Sequence, residues 1–499
     1  MSSAHPPIND PDATSVAAPS PHHAARWLIL ATIGLAQLMV VLDSSIVNIA
    51  LPNAQSDLSF DNENRQWIVT AYALGFGSLL LLGGRLSDII GRKPMFVAGL
   101  LGFAISSGLG GAATSFELLV AARGAQGVSA ALLAPAALSL LTVIFVDAKE
   151  RATAFAVFAA VSGAGGAVGV ILGGALTEYL SWRWCMYVNV PIAVVALLGA
   201  LALLKKEPRA ERSGRIDTPG TIVVVAGLVA LVYGLAEAEA DGWGSATTLG
   251  FIALGVALLM AFVVIESRVS HPLLPLRVVR DRTRGGSFIA VAFVGIGFFS
   301  VFLFMTFYLS TISGFAPLKT GLAFLPLIAG VSVAAGISSP LVGKVGPKLP
   351  IATGFVLAAA GMFLLSRLGL DSGYATHVLP AFVLVGAGFG FVIAPGFSAA
   401  TYGVDPDDAG VASAMVNTAQ QIGGSIGFAV LSALASSAAT DFLADKDPSG
   451  ANAALAAVES YTTAFWWTGA MFVAAAIVCG ALLRHGAIET DGDAPRAMH

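Results

Sequence analysis

The chain is a succession of long apolar runs separated by short polar stretches. Runs long enough to cross the hydrocarbon, about 20 residues each, fall near 27–51, 66–84, 95–113, 117–145, 153–177, 185–204, 219–236, 247–265, 286–310, 321–343, 350–367, 376–400, 409–435 and 461–483. Each is predicted to be a helix, because in lipid a helix satisfies all its backbone groups within one segment. The expected class is therefore all-α integral membrane, with about fourteen transmembrane helices. Residues 1–25 are rich in Ser, Ala, Pro and His and hold too little apolar surface to order, so a polar tail is expected there. The first run, Trp27 to Leu51, exceeds a signal-peptide core and reads as the first segment.

Basic residues near helix ends stay preferentially on the cytoplasmic side. With both termini cytoplasmic, only Arg65, Arg183, Lys319, Arg367 and Lys446 fall outside and Arg123 falls within the membrane, out of 26 Lys and Arg. The most basic loops, Lys205–Arg215 and Arg268–Arg284, flank segments 7 and 8. One missed or extra span would spoil this partition.

A faint direct repeat divides the chain. Arg85-Leu-Ser-Asp-Ile-Ile-Gly-Arg-Lys93 is echoed by Pro340-Leu-Val-Gly-Lys-Val-Gly-Pro-Lys348, and Ala134-Pro135 by Ala394-Pro395. Segment 4 thus corresponds to segment 12, which implies two six-helix halves at 26–204 and 285–484, an inserted pair at 205–284 and a tail at 485–499. Same-direction halves with a substrate site between them at the midplane are an architecture of secondary transporters.

Composition agrees with a bundle in lipid: 56% of residues are hydrophobic and 11% charged, with 56 glycines. Small residues let helices approach where lipid gives no hydrophobic push. The net charge of -4 offers no basic face for nucleic acid. Cys185 and Cys479 have no second Cys or His at ligand spacing, no metal constellation is expected, and no phosphate-cradling loop with a Gly-Lys-Ser/Thr ending is present. No cofactor is expected, and the source of drive would be an ion gradient.

The polar exceptions carry the chemistry. Asp43 lies about two thirds along a helix rising ~1.5 Å per residue, and Arg123 lies inside segment 4. A charge at such depth costs about 2.5–3.5 kcal/mol on insertion scales, which makes function the default reading. Removal from water favours the neutral form of a carboxyl group, as a proton carrier needs, whereas Arg keeps its charge and acts electrostatically. Glu237, Glu239 and Glu266 stand at segment ends.

Several stretches resemble the major facilitator superfamily, in particular its fourteen-helix drug:proton antiporter branch. Gly84-Arg-Leu-Ser-Asp88-Ile-Ile-Gly91-Arg92-Lys93 is similar to the family's loop signature between helices 2 and 3, which acts there as a cytoplasmic latch. Leu42-Asp43 through Asn48 to Pro52 resembles the helix 1 signature of the antiporter branch, and Arg123-Gly-Ala-Gln126-Gly127 the buried-arginine motif. Gly165, Gly169, Gly173 and Gly174 resemble the antiporter glycine motif, although Val170 stands where that motif places Pro. Trp182-Arg-Trp184, Asn189-Val-Pro191 and the stretch Asn417-Thr-Ala-Gln420-Gln421 match the same branch.

The resemblance implies export of hydrophobic or amphipathic drugs by alternating access, with Asp43 as proton site and Arg123 as its modulator. Pairing of these two is an inference, since each could instead face water. Asn48, Gln126, Asn189, Asn417, Gln420 and Gln421 are expected to offer uncharged polar groups to a substrate cavity. Val383 is the second-half counterpart of Arg123, so charge coupling is expected only in the first half. A lone carrier acid favours neutral, zwitterionic or singly charged cargo. The chain is expected to work as a monomer in the plasma or inner membrane. A dedicated exporter of one compound is the alternative, and a proton-coupled nutrient importer a more distant one.

Overall fold

A computed structural model describes residues 25–61, 64–145, 148–204, 217–240, 242–269, 272–404, 409–444, 446, 450–484 and 486, with the side chains of 88, 148–149, 151–152, 155–156, 159, 163, 239–240 and 409–410 excepted. The tail 1–24, the basic loop 205–216 and residues 487–499 thus lie outside the described residues. Fourteen helices among the described residues are long and apolar enough to cross a membrane. They are α1 (Arg26–Leu58), α2 (Gln66–Ile90), α3 (Arg92–Gly111), α4 (Phe116–Ile144), α5 (Ala148–Tyr179), α6 (Trp184–Leu203), α7 (Thr218–Ala240) and α8 (Ala246–Glu266). There follow α9 (Arg282–Phe307), α10 (Pro317–Val345), α11 (Lys348–Leu365), α12 (Leu379–Thr401), α13 (Ala409–Leu443) and α14 (Gly450–Leu482). The protein is a multi-pass, all-helical membrane protein.

Three helices outrun their apolar cores. α1 continues through Pro52 to Leu58, α13 runs on to Leu443, and α14 begins at Gly450 rather than near 461. Hydropathy marks only the stretch that lipid requires, whereas Ala-rich sequence such as 450–457 continues a helix on propensity alone. π turns at Tyr308–Ile312 and Tyr374–Val378 extend α9 and lead into α12. Neither has a hydropathy signature.

The repeat is written into the backbone. Gly91 and Gly346, 255 residues apart, join α2 to α3 and α10 to α11 with φ of 113° and 78°. Their N–H groups donate to the carbonyls of Ser87 and Val342. Glycine suits both turns because a side chain strains at positive φ. Helix packing repeats as well. A Cβ on Gly127 would lie 2.2 Å from the Tyr72 carbonyl oxygen, and one on Gly386 2.2 Å from that of Leu327. At this register the partner of Arg123 is Phe382, not Val383 as the sequence echo suggested. Phe382 is fully buried and stacks on Phe324 at 5.2 Å, while Val383 is 45% exposed. The one-residue slip arises because the α4–α12 offset is set by interhelical glycine contacts, which the Ala-Pro echo does not report.

The bundle end bearing Arg26 and Leu482 is here termed the terminal side, and the end bearing Leu58 and Gln66 the far side. One continuous apolar core joins far-side residues of α1, α2, α4, α5 and α6 with residues along α9 to α14. Nearer the terminal side the cores of 29–204 and 278–419 are separate clusters. The far-side seam is close packed. Gly174 lies against Leu318 and Pro317, Gly321 against the Val170 carbonyl, and the Leu318 N–H donates to Glu178 at 3.0 Å. Arg65 reaches across from α2 into the rings of Phe307, Phe304 and Tyr461, at 4.5, 5.7 and 5.9 Å.

These glycine contacts yield a test. Gly386→Ala forces a methyl into the Leu327 backbone and should lower the thermal unfolding midpoint in detergent, at about 1–3 kcal/mol of overpacking. Gly108→Ala, where a Cβ meets nothing within 4 Å, should leave the midpoint unchanged or raise it. Equal behaviour of the two variants would contradict the packing.

Candidate functional site

Asp43 and Arg123 form an ion pair in the interior of the bundle. α1 stays helical through Asp43, and Ser44 and Ser45 there turn their hydroxyls back onto the carbonyls of Val41 and Leu42. Its carboxylate is 0% exposed and Arg123 2%. Arg123 Nη1 donates to Asp43 Oδ2 at 2.6 Å and to Gln126 Oε1 at 2.8 Å, while Nε donates to the Ile68 carbonyl at 3.1 Å. The Tyr72 ring lies under the guanidinium, 4.5 Å away. Asp43 Oδ1 accepts from Gln126 Nε2 at 3.0 Å and Asn189 Nδ2 at 2.8 Å. Gln126 Nε2 also donates to Ser107 Oγ at 2.7 Å. One network thus ties α1, α2, α3, α4 and α6.

Gln126 and Asn189 therefore stand elsewhere than expected. Both are fully buried and turned onto Asp43, because a buried carboxylate needs donors more than a cavity wall needs amides. Asn48 and Asn417 donate within their own helices, Asn48 Nδ2 to the Ser44 carbonyl at 2.9 Å and Asn417 Nδ2 to that of Ser413 at 3.3 Å. Gln420 and Gln421 are half-buried, and Gln421 with Ile422 packs on Gly77 of α2. Tyr72, Ser107 and the Ile68 carbonyl were not anticipated. Ser107 had a readable signal, a polar pair at Ser106-Ser107 inside an apolar run, whereas a backbone carbonyl leaves none.

The glycine stripe on α5 serves α1. Cβ atoms on Gly165, Gly169 and Gly173 would meet Val41, Ser45 and Ile46, the Gly169 case at 1.9 Å from Ser45 Oγ. Gly174 turns the other way, onto α10. Val170 is fully buried and α5 passes through it as an unbroken helix, without the interruption that a proline would impose. At the α2–α3 turn, Gly91 supplies the positive φ and Lys93 Nζ donates to the carbonyls of Leu201 and Leu204, closing the C-terminus of α6. Gly84 sits in ordinary contact with Pro135, 3.7 Å from a would-be Cβ. The Asp88 side chain lies outside the described residues.

Trp182-Arg-Trp184 forms a far-side clasp. Arg183 and Trp182 both donate to Asp57 at the end of α1, the indole at 3.0 Å, and Arg183 Nη2 reaches the Ala113 carbonyl at 2.9 Å. Among the described residues the remaining buried charges are Arg65, Asp217 and Glu266, and none lies between 282 and 482. No trio of His, Cys, Asp or Glu gathers at metal-binding distance among them.

Residues 33–428 match the family described as Major Facilitator Superfamily. The chain is 47% identical over 461 residues to a puromycin resistance protein of Streptomyces alboniger, covering 92% of this chain and 91% of that one. It is 39% identical to a cephamycin export protein of Amycolatopsis lactamdurans over 82% of this chain and 84% of the other. A tetracenomycin C resistance and export protein of Streptomyces glaucescens is 35% identical, over 84% and 78%. Among solved structures, a bacterial homologue of the human lysosomal transporter Spinster, in an inward-facing and unoccupied conformation, superposes with a TM-score of 0.66. That match is 16% identical, covers 93% of this chain and 98% of the other, and speaks for the fold alone.

Because Asp43 is sealed, removing its partner should be worse than removing both. Arg123→Gln leaves a buried carboxylate uncompensated, at about 3–5 kcal/mol, and should sharply reduce folded protein recovered by size-exclusion chromatography. Adding Asp43→Asn should restore most of it. Wild-type recovery of the Arg123→Gln protein would contradict the ion pair.

Proposed function

Because the chain belongs to the major facilitator superfamily, we propose that it exports hydrophobic or amphipathic drugs or antibiotics by alternating access, in exchange for protons. The observation that carries this reading is the Asp43–Arg123 pair, sealed from water in a network reaching five helices. A proton on Asp43 cancels the charge that holds Arg123 and weakens the acceptor shared by Gln126 and Asn189. The helices tied together through that carboxylate are then free to shift, and far-side opening becomes accessible. Release of the proton to the terminal side restores the pair. Arg123 stays charged throughout and acts on the carboxyl group rather than carrying a proton itself.

Relatives that confer resistance to, or export, antibiotics support the substrate class. The absence of buried charge among the described residues of 282–482 supports cargo that is neutral, zwitterionic or singly charged. The terminal side is read as cytoplasmic from the loop charges, the chain as a plasma-membrane protein working as a monomer, and its drive as the proton gradient with no cofactor. The α2–α3 turn, with Gly84, Asp88, Gly91, Arg92 and Lys93, is read as the cytoplasmic latch. Dedicated export of one compound is the second reading, favoured by relatives that are each named for a single antibiotic.

The test is a susceptibility panel in a pump-deficient bacterial host. Wild type should protect against several unrelated apolar compounds, and Asp43→Asn should protect no better than empty vector at equal membrane abundance. Dye efflux should stop on adding a protonophore. Protection against one chemical class would select the dedicated exporter, and full activity of Asp43→Asn would remove the proton role from that residue.

A further inference from the structure

Two more carboxyl groups are buried in the hairpin of α7 and α8, apart from the Asp43 network. Asp217 starts α7: its Oδ1 accepts the Gly220 N–H at 2.9 Å and its main-chain carbonyl the Thr221 hydroxyl at 2.7 Å. Glu266 ends α8 and takes the N–H of Leu273 on Oε1 at 3.2 Å and that of Leu274 on Oε2 at 2.9 Å. The two residues are 6% and 4% exposed. Both flank Gly220, where a Cβ would sit 2.2 Å from Asp217 Oδ2 and 3.0 Å from Glu266 Oε1. Asp217 Oδ2 is buried and has no hydrogen-bond partner among the described residues.

Two like charges this close and this dry repel strongly. The carboxylate nearest Glu266 among the described residues is Asp217, on the other side of Gly220. The other charged groups on adjoining elements are Arg268, Arg277, Arg280 and Asp281 on the connection to α9 and Arg85 on α2. α7 and α13 carry described charges only at their far-side ends, Glu237 and Asp441. A proton on Asp217 Oδ2 removes one of the two charges. It also supplies the donor that the pair lacks, since Oδ2–H then donates to Glu266. We propose that Asp217 and Glu266 hold one shared proton, a second proton-binding site at the terminal-side base of the hairpin, independent of Asp43.

The placement gives the site leverage. α7 packs through Leu228 and Val232 on Leu74 of α2 and Ile422 of α13, one helix from each side of the repeat. Glu266 meanwhile fastens the turn at Leu273 and Leu274 that leads toward α9. Loss of the proton leaves two like charges at the joint between the hairpin and the second half, and loosens both attachments.

Infrared spectroscopy of the full-length protein in lipid nanodiscs at neutral pH tests this directly. Wild type should show the carbonyl stretch of a protonated carboxylic acid, Asp217→Asn and Glu266→Gln should each abolish it, and Asp43→Asn should leave it. A wild type without the band, or a band that persists in both hairpin variants, overturns the proposal. Either amide still supplies a donor to its neighbour, so both variants should fold. Thermal unfolding gives a second reading. The folded protein holds a proton that the unfolded chain has released, so the wild-type midpoint should fall as pH rises above the ordinary carboxylate range. Asp217→Asn should lose that slope, and parallel curves for the two proteins would likewise overturn the shared proton.

Discussion

A carboxylate and a guanidinium can coexist inside a bilayer-spanning bundle only if the donors and acceptors around them are taken up, because water is not there to do it. The first six helices are arranged about that constraint. Asp43 needs donors, and Arg123, Gln126 and Asn189 arrive from α4 and α6 to provide them. Arg123 in turn needs acceptors and a polarisable face, which fall to Asp43, Gln126, the Ile68 carbonyl and the Tyr72 ring. Glycines then serve the same end. Gly127 brings α4 against the Tyr72 backbone, and Gly169 brings α5 onto the helical turn that carries Asp43. Without those approaches the ion pair could not be both hydrogen-bonded and dry.

The second half shows what the same helical frame becomes without the constraint. Gly386 packs on Leu327 as Gly127 packs on Tyr72, and Gly346 turns the chain as Gly91 does. Yet where Arg123 would be, Phe382 stacks on Phe324, part of an aromatic core that also includes Phe302 and Phe389. Aromatic packing needs no partner atoms and tolerates sliding better than a hydrogen-bonded ion pair does. One half is thus fixed by directional bonds and the other by contact area.

Much of this was legible beforehand, for reasons that differ by residue. The helices announced themselves because lipid imposes length and hydropathy together, so α4 and α8 were placed to within a residue or two. Asp43 and Arg123 stood out because charge at depth is costly, and Gly91 because its turn falls between two spans. What escaped was whatever depends on register between helices. That Gln126 and Asn189 face Asp43 rather than a cavity cannot be read from their spacing, since each lies on a stripe that also meets other neighbours. Pro52 within α1 and the extension of α14 to Gly450 escaped because hydropathy is silent once the chain leaves hydrocarbon.

Asp217 and Glu266 show the same limit from the other direction. As acids at helix ends they look like ordinary solvated caps, and each does cap something. Their burial comes from the hairpin folding back on itself, with Gly220 leaving space for both side chains where any larger residue would separate them. A helix end is therefore not equivalent to water access in a bundle whose loops fold inward. Among the described residues there are two kinds of buried acid: Asp43, balanced by a fixed cation, and the hairpin pair, for which a shared proton is the proposed balance. Only the second kind changes its net charge without any rearrangement of a cation beside it. A sensor of proton concentration is for that reason more naturally built from two acids than from an acid and a base.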